Sequence, residues 1–183
     1  MSYTTSVRPA PGRRRRPVDG ASIGMLLAFL AIAVGVAGFG TIVTIGAVGG
    51  WYASAPHVAW TPPNWAFGVV WSVLYLLIAV SGWLVWLRRY RRGVRAAMTL
   101  FVVQFVLNAL WTPIFFGGYT LIGGAALWIA VGVIVLLDLA VGTTIATFWS
   151  ISKPAALLLV PYFLWILYAS TLNWGDAVLN ALS

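Results

Sequence analysis

Hydrophobic residues along this chain fall into five long stretches that carry almost no charged side chains, and short polar segments separate them. Each stretch has about 20 residues or more, which at about 1.5 Å per residue crosses a hydrocarbon layer of about 30 Å. The stretches are continuous rather than alternating, which does not favour a transmembrane β-barrel. We therefore predict an all-α fold, an integral membrane bundle of five transmembrane helices, at residues 23–48, 64–87, 96–116, 121–149 and 154–174.

These spans define one transmembrane domain at residues 22–175, with a polar tail on either side. Residues 1–21 include "GRRRRP", and their Pro/Arg-rich composition predicts a disordered tail. A basic segment before an apolar one is also typical of a signal peptide. Residues 23–48, however, carry no charge and are longer than the apolar part of a signal peptide, which favours a spanning helix. Residues 176–183 are predicted to form a short C-terminal tail.

Composition supports a membrane protein and excludes several kinds of site. Hydrophobic residues make up 62% of the chain and charged residues 8%, whereas a soluble domain has about 25% charged residues. The chain has no cysteine and only one histidine, His57, which excludes disulfides, thiolate metal sites and histidine-cluster metal sites. The sequence contains no paired carboxylates, Ser/His/Asp set or phosphate-binding loop, so it predicts no catalytic constellation.

The basic residues predict the orientation of the bundle. A net charge of +8 is compatible with nucleic-acid binding, but the bases cluster beside apolar stretches, where the positive-inside rule explains them, and we predict no nucleic-acid partner. They precede the first span or lie in the second and fourth connections, at residues 13–16, Arg88, Arg89, Arg91, Arg92, Arg95 and Lys153. We therefore predict a cytoplasmic N-terminus and a C-terminus outside.

Several polar side chains lie within the predicted spans. Amides are costly in hydrocarbon unless they are hydrogen-bonded, so Gln104, Asn108 and Asn173 should face the interior. Either they bond neighbouring helices, or they line an aromatic cavity for a flat hydrophobic ligand. Asp138 is the one acid inside a predicted span and a functional candidate by default; it is either protonated or faces a neighbouring subunit. Small residues on the first helix predict close approach of helix backbones: Gly35, Gly38, Gly46 and Gly50.

A rigid aromatic segment, "WTPPNW" at residues 60–65, connects the first two spans. Pro62 and Pro63 fix φ and suit the first turn of a helix, and Thr61 and Asn64 are the candidate N-caps. One interpretation is that the segment sets the entry angle of the second span and holds its two tryptophans over a cavity mouth. The alternative is an interfacial aromatic belt and a helix start with no role in ligand binding.

Three motifs, taken together and in this order, resemble the tryptophan-rich sensory protein and translocator protein (TspO/MBR) family. They are "GGWYASAPHVAWTPPNWAFGVVWSVLY", "LNALWTPIFFG" and "PYFLWILYASTLN". The resemblance implies a five-helix bundle, often a homodimer, with a cavity closed by the connection between helices one and two. It implies porphyrins, haem and benzodiazepine-type hydrophobic compounds as ligands, no obligatory cofactor, and the lipid bilayer as surroundings.

The resemblance also implies site residues. Some bacterial members promote light-dependent porphyrin breakdown, and two tryptophans that flank the ligand there match Trp71 and Trp165, the catalytic candidates of this chain. The family's ligand-binding positions match Trp51, Tyr52, Pro63, Trp65, Phe67, Trp71, Tyr75, Asn108, Trp111, Trp165 and Ala169.

The leading interpretation is therefore a multi-pass receptor or binding protein for tetrapyrroles, linked to their transport or to stress signalling, in a bacterial cell membrane. One alternative is an enzyme that degrades porphyrins with light and oxygen. Another is a small-solute transporter or structural membrane partner, in which the amides only join helices and the tryptophans form interfacial belts.

Overall fold

The computed structural model describes residues 19–181, and these form α-helices and one π-helical segment, with no β-strand. The elements follow the chain as α1 (Gly20–Val48), α2 (Trp51–Ser54), α3 (Asn64–Trp86), α4 (Val94–Thr112), the π-helical segment Pro113–Gly117, α5 (Tyr119–Ile122), α6 (Gly124–Ile151) and α7 (Lys153–Leu179). Five helices of this part are long and apolar enough to cross a membrane: α1, α3, α4 with the π-helical segment, α6 and α7. The predicted fold class is confirmed.

The end of α7 and the start of α6 differ from the predicted boundaries for identifiable reasons. α7 continues to Leu179, whereas the sequence predicts a tail from residue 176, because the Asp176 side chain is buried and paired instead of marking a helix end. α6 begins at Gly124 instead of residue 121, because Gly123 has a φ of 60° and separates α6 from the short α5. Glycine adopts this left-handed region without the steric cost that other residues meet.

α1 begins inside the segment that the sequence predicts to be a disordered tail. Residues 1–18, with the "GRRRRP" motif, lie outside the described residues. Asp19 caps the helix, because its carboxylate accepts a hydrogen bond of 2.9 Å from the backbone N–H of Ser22. The same bond lowers the pKa of Asp19. The helix therefore starts at Gly20, three residues before the predicted span at 23.

The spanning helices form a closed ring in the order α1, α3, α7, α6, α4. α1 packs against α3, α3 against α7, α7 against α6, and α6 against α4, which with the π-helical segment returns to α1. The larger hydrophobic core joins α3, α4, α6 and α7 and includes Ile78, Phe101 and Phe148. A smaller core at the end that carries α2 includes Phe115 and Leu127. The ring order places side chains of α3, α4 and α7 opposite one another in the interior.

The basic side chains of the described residues collect at the other end of the bundle. Four arginines lie in the turn after α3, Arg95 lies in the first turn of α4, and Lys153 begins α7. The guanidinium of Arg89 lies 3.9 Å from the ring centroid of Trp86, and the ammonium of Lys153 lies 5.7 Å from that of Trp149. Such cation–π pairs suit the border between apolar and polar surroundings. Which side of the membrane this end faces stays a prediction.

The start of α3 uses neither of the predicted capping side chains. Pro63 is the N-cap residue, with φ −59° and ψ 144°, and no side chain caps the helix. Its carbonyl oxygen accepts a hydrogen bond of 2.9 Å from the N–H of Ala66. Thr61 and Asn64 therefore do not cap α3, because the fixed φ of proline and the backbone bond already define the helix entry.

Helices approach closely at Gly82 of α3, whereas the glycines predicted to bring helix backbones to α1 do not do so within the described chain. A Cβ atom at Gly82 would lie 2.7 Å from Cζ of Phe101 and 3.2 Å from Cε1 of Phe29. The Phe101 ring cannot easily retreat, because it is 2% exposed and stacks on Phe148 at 5.7 Å. Of the four glycines predicted to serve this purpose, Gly50 lies beyond the end of α1. A Cβ atom at any of the other three would have no neighbour within 4 Å: Gly35, Gly38 and Gly46.

We expect Gly82→Ala to destabilise the bundle by about 1–3 kcal/mol, because the added methyl group overpacks the site between α1, α3 and α4. Thermal unfolding in detergent, followed by tryptophan fluorescence, measures the change. Gly68→Ala is the matched control on the same helix: a Cβ there meets nothing within 4 Å, so its melting temperature should stay the same or rise through helix propensity. Equal melting temperatures for the two variants would contradict the close approach at Gly82.

Candidate functional site

A hydrogen-bonded network of side chains crosses the interior between α3, α4 and α7. The hydroxyl of Tyr75 donates to Asn108 Oδ1 at 3.0 Å, and Asn108 Nδ2 donates to the hydroxyl of Tyr162 at 3.1 Å. The Tyr162 hydroxyl donates in turn to Gln104 Oε1 at 3.0 Å. Gln104 and Asn108 are buried, as the sequence predicts. The network therefore joins three helices through groups that hydrocarbon could not satisfy.

Two buried donors beside this network have no acceptor among the described residues. They are Gln104 Nε2 and the indole nitrogen of Trp165, Nε1. Leaving a buried donor unpaired costs about 1–3 kcal/mol, so most proteins avoid it. Trp165 lies one helical turn after Tyr162 on α7, so its donor and the network lie on the same side of that helix.

Aromatic rings of α3 and α7 lie around the network. Trp71 packs against Tyr75 and Tyr162, with ring centroids 5.2 and 6.1 Å apart, and Phe67 meets the Trp165 ring edge-on at 5.8 Å. Phe67, Trp71 and Trp165 are only partly buried, so each keeps an accessible side. The structure therefore places one group of the predicted site residues near one another on α3, α4 and α7: Phe67, Trp71, Tyr75, Asn108, Trp165 and Ala169.

Trp51 and Tyr52 belong to an aromatic cluster at the end of the bundle that carries α2. The Trp51 ring stacks on Tyr119 with 3.8 Å between centroids, and its indole N–H donates to the carbonyl oxygen of Phe116 at 2.9 Å. Tyr52 is 8% exposed and lies 5.3 Å from the Phe116 ring. Because burial removes water from its phenol, the pKa of Tyr52 is raised to about 12. These contacts anchor α2, a helix of only four residues.

Trp111 and Asn173 connect α4, α6 and α7. The indole N–H of Trp111 donates to Asn173 Oδ1 at 2.9 Å, and Asn173 Nδ2 donates to the carbonyl oxygen of Leu127 at 3.1 Å. Asn173 and Asn108 therefore bond neighbouring helices, which is the first of the two interpretations of the interior amides. Gln104 differs from them, because its amide nitrogen keeps an unused donor.

The remaining predicted site residues lie outside this interior group. Pro63 is exposed, and Trp65 is 71% exposed. Trp60, also predicted to lie over a cavity mouth, is 54% exposed. For Trp65 this placement supports an interfacial belt, since an amphipathic ring prefers that depth.

The connection between α1 and α3, residues 49–63, is fastened to α7, and we call this segment the lid. The carbonyl oxygen of Trp60 accepts a hydrogen bond of 2.7 Å from the hydroxyl of Tyr168, and the indole N–H of Trp60 donates to Thr171 Oγ1 at 3.2 Å. Directly after α7, Nδ2 of the C-cap residue Asn180 donates to the carbonyl oxygen of Pro56 at 3.1 Å. The lid therefore crosses one end of the bundle and is held along the last three turns of α7.

His57 of the lid and Asp176 of α7 form a side-chain contact that the sequence does not predict. His57 Nδ1 lies 3.2 Å from Asp176 Oδ2, and the two side chains are 22% and 3% exposed. Val58 fits against Gly175, where any Cβ atom would collide with it. One feature of the sequence points to this pair. Both residues fall at the predicted outer end, where no lysine or arginine is available to pair with Asp176.

Asp138 of α6 has a partner within the chain. Its Oδ2 accepts a hydrogen bond of 2.8 Å from the hydroxyl of Ser170 on α7, whereas its Oδ1 has no partner among the described residues. The bond explains how an acid without a basic neighbour is accommodated between two helices. No group of three or more histidine, cysteine or acidic residues that could hold a metal ion occurs in residues 19–181.

Comparison with known proteins agrees with this architecture. The model of the TspO/MBR family matches residues 27–178. The chain is 40% identical to Protein CrtK of Rhodobacter capsulatus over 133 residues, which is 72% of this chain and 79% of the relative. It is 39% identical to Tryptophan-rich protein TspO of Archaeoglobus fulgidus over 160 residues, 87% and 96% of the two chains. It is 35% identical to the Translocator protein of Homo sapiens over 131 residues, 69% and 74%.

We expect Tyr162→Phe to lower the free energy of unfolding by about 1–3 kcal/mol, because Gln104 Oε1 and Asn108 Nδ2 both lose a partner in a buried place. Tyr168→Phe is the matched control: it also removes one hydroxyl from α7, but near the surface, where water replaces the lost bond. Thermal unfolding in detergent measures the loss of stability in each of the two variants. Equal destabilisation would mean that the interior network contributes no more than a surface hydrogen bond.

Proposed function

This chain belongs to the TspO/MBR family and is an integral, multi-pass membrane protein, and on that premise we propose that it binds porphyrins, haem and similar flat hydrophobic ligands in its interior. The binding site consists of the aromatic rings and amides on α3, α4 and α7. In this role the chain is a receptor linked to tetrapyrrole transport or stress signalling. The sequence has no nucleotide-binding loop, so any transport would not be driven directly by ATP.

The observation that carries the proposal is the pair of unused donors, Gln104 Nε2 and Trp165 Nε1, in an interior lined by aromatic rings. A ligand with an acceptor, such as the carboxylate or carbonyl oxygen of a porphyrin or an aromatic amide, would satisfy these donors. That bond would offset the cost of leaving the donors unpaired. A purely structural bundle has no use for two unpaired donors at this depth.

The accessible aromatic faces support a flat guest. Trp71 and Trp165 lie on different helices, and each is partly buried, so their indoles can stack on a large ring while the rest of the side chain stays packed. Few charged groups lie nearby, which favours hydrophobic ligands over ions. The lid is fastened to the same part of α7 and would cover the proposed site at that end.

We expect Trp165→Phe to weaken protoporphyrin IX binding by about 3- to 10-fold, because the ring remains while the indole donor is lost. Titration in detergent, followed by the porphyrin absorbance band, measures the dissociation constant without depending on tryptophan emission. Trp149→Phe is the matched control, since Trp149 is 47% exposed and lies beside Lys153 at the basic end of the bundle. Its affinity should equal that of the unmodified protein.

Two outcomes would count against the proposal. If protoporphyrin IX does not bind saturably, the interior is not a tetrapyrrole site. If Trp149→Phe and Trp165→Phe weaken binding equally, the porphyrin is adsorbing to the outer surface of the bundle. A Gln104→Met variant, which keeps the side-chain length but removes the amide, tests the second donor in the same assay.

A further inference from the structure

The lid is held by contacts of two kinds. The bonds of Trp60 to Tyr168 and Thr171, and of Asn180 to Pro56, join hydroxyl, indole, amide and carbonyl groups that do not change charge between pH 5 and 9. The contact of His57 with Asp176 differs, because imidazole is the side chain that ordinarily gains or loses a proton in this range. One of the fastenings can therefore respond to pH while the others do not.

The neighbours of His57 determine where its protons lie. Nε2 is 2.7 Å from the carbonyl oxygen of Tyr52, which can only accept, so Nε2 carries a hydrogen. Nδ1 is 3.2 Å from Asp176 Oδ2. If Nδ1 had no proton and the carboxylate were ionised, two lone pairs would face each other in a place where Asp176 is 3% exposed. The contact is therefore favourable only while one further proton is shared between the imidazole and the carboxyl group.

The other titratable side chains on the neighbouring elements are phenols and one carboxyl group. From α2, the Tyr52 ring lies 4.2 Å from the His57 ring, and burial raises the pKa of Tyr52 to about 12. The others have partners elsewhere: Tyr119 stacks on Trp51, Tyr168 donates to the carbonyl oxygen of Trp60, and Asp138 accepts from Ser170. The described lysine and arginines lie at the opposite end of the bundle. The shared proton therefore belongs to His57 and Asp176.

We propose that His57 and Asp176 form a proton-dependent latch, which fastens the lid to α7 while the pair holds its shared proton and releases it when that proton is lost. The latch regulates access to the ligand site of the proposed function and rests on that function for its purpose. Its sign follows from linkage: the fastened lid binds the proton more tightly than the released lid. The fastened state is therefore favoured at low pH and loses this advantage as the pH rises.

Movement of the lid can be measured without any ligand. The chain has no cysteine, so Ala59→Cys, at an exposed position of the lid, carries a single nitroxide spin label. In the otherwise unchanged protein, electron paramagnetic resonance should show the mobile fraction of the label rising about threefold or more between pH 6 and pH 9. In His57→Gln the label should be equally mobile at both pH values. If the mobile fraction of the label in the unchanged protein is the same at pH 6 and pH 9, the latch proposal is wrong.

Two further variants separate the latch from ordinary packing. In Asp176→Asn the amide N–H can donate to unprotonated Nδ1, so the lid should stay fastened at both pH values. Thr171→Val is the control: it removes the acceptor of the Trp60 indole and should raise mobility equally at pH 6 and pH 9, leaving the pH response intact. If Asp176→Asn frees the lid at both pH values, the carboxylate is a structural contact and not a proton switch.

Ligand release tests the regulation of the site. Dissociation of protoporphyrin IX, followed by stopped-flow absorbance, should be about fivefold faster at pH 9 than at pH 6 in the unchanged protein, the loss expected for one hydrogen bond of ordinary strength. Asp176→Asn, measured at the same two pH values, corrects for ionisation of the porphyrin itself. Equal release in both proteins, with a responsive spin label, would overturn control of access by the latch. Absence of porphyrin binding would overturn the proposed function. The spin-label measurement needs no ligand, so it would still test whether the latch depends on pH.

Discussion

A hydrogen-bonding group inside an apolar bundle must find its partner within the protein, because neither lipid nor packed hydrocarbon side chains can supply one. This constraint explains the network from Tyr75 through Asn108 and Tyr162 to Gln104, which ties α3, α4 and α7 together. Asn173 serves α4, α6 and α7 in the same way. The polar residues of the interior thus fix which helices are neighbours, a choice that apolar packing alone specifies poorly.

The same constraint marks the place where the interior is incomplete. Once the network is formed, Gln104 Nε2 and Trp165 Nε1 still lack acceptors, and partly accessible rings of Phe67 and Trp71 lie around them. A bundle held together only by its own side chains would have closed this region with apolar groups, which cost less. The unsatisfied donors and the partly accessible aromatic faces together form the basis of the proposed site for a flat ligand with acceptors at its rim.

The lid is held in a different way, because it crosses the end of the bundle and contains only the four-residue helix α2. Aromatic stacking fixes Trp51 over Tyr119, and hydrogen bonds fix Trp60 and Pro56 to α7. His57 and Asp176 add the contact that we propose to depend on protonation. The proposed binding site in the middle of the bundle and the proposed latch at its edge are connected through α7, which carries Trp165, Tyr168 and Asp176.

The amino-acid sequence by itself determined that the chain lies in a membrane and that it forms a helical bundle. Apolar runs such as residues 23–48 are long enough to span a bilayer. Amides such as Gln104 must face the interior, whatever the order of the helices. The three tryptophan-containing motifs also indicated the family to which the chain belongs. Only the tertiary structure decided which polar groups meet. His57 and Asp176 are separated by 119 positions, and Trp65 looked no different from Trp165 until the packing turned one outward and the other inward. Length and hydropathy act locally along the chain, whereas partners and exposure depend on how whole helices are arranged around one another.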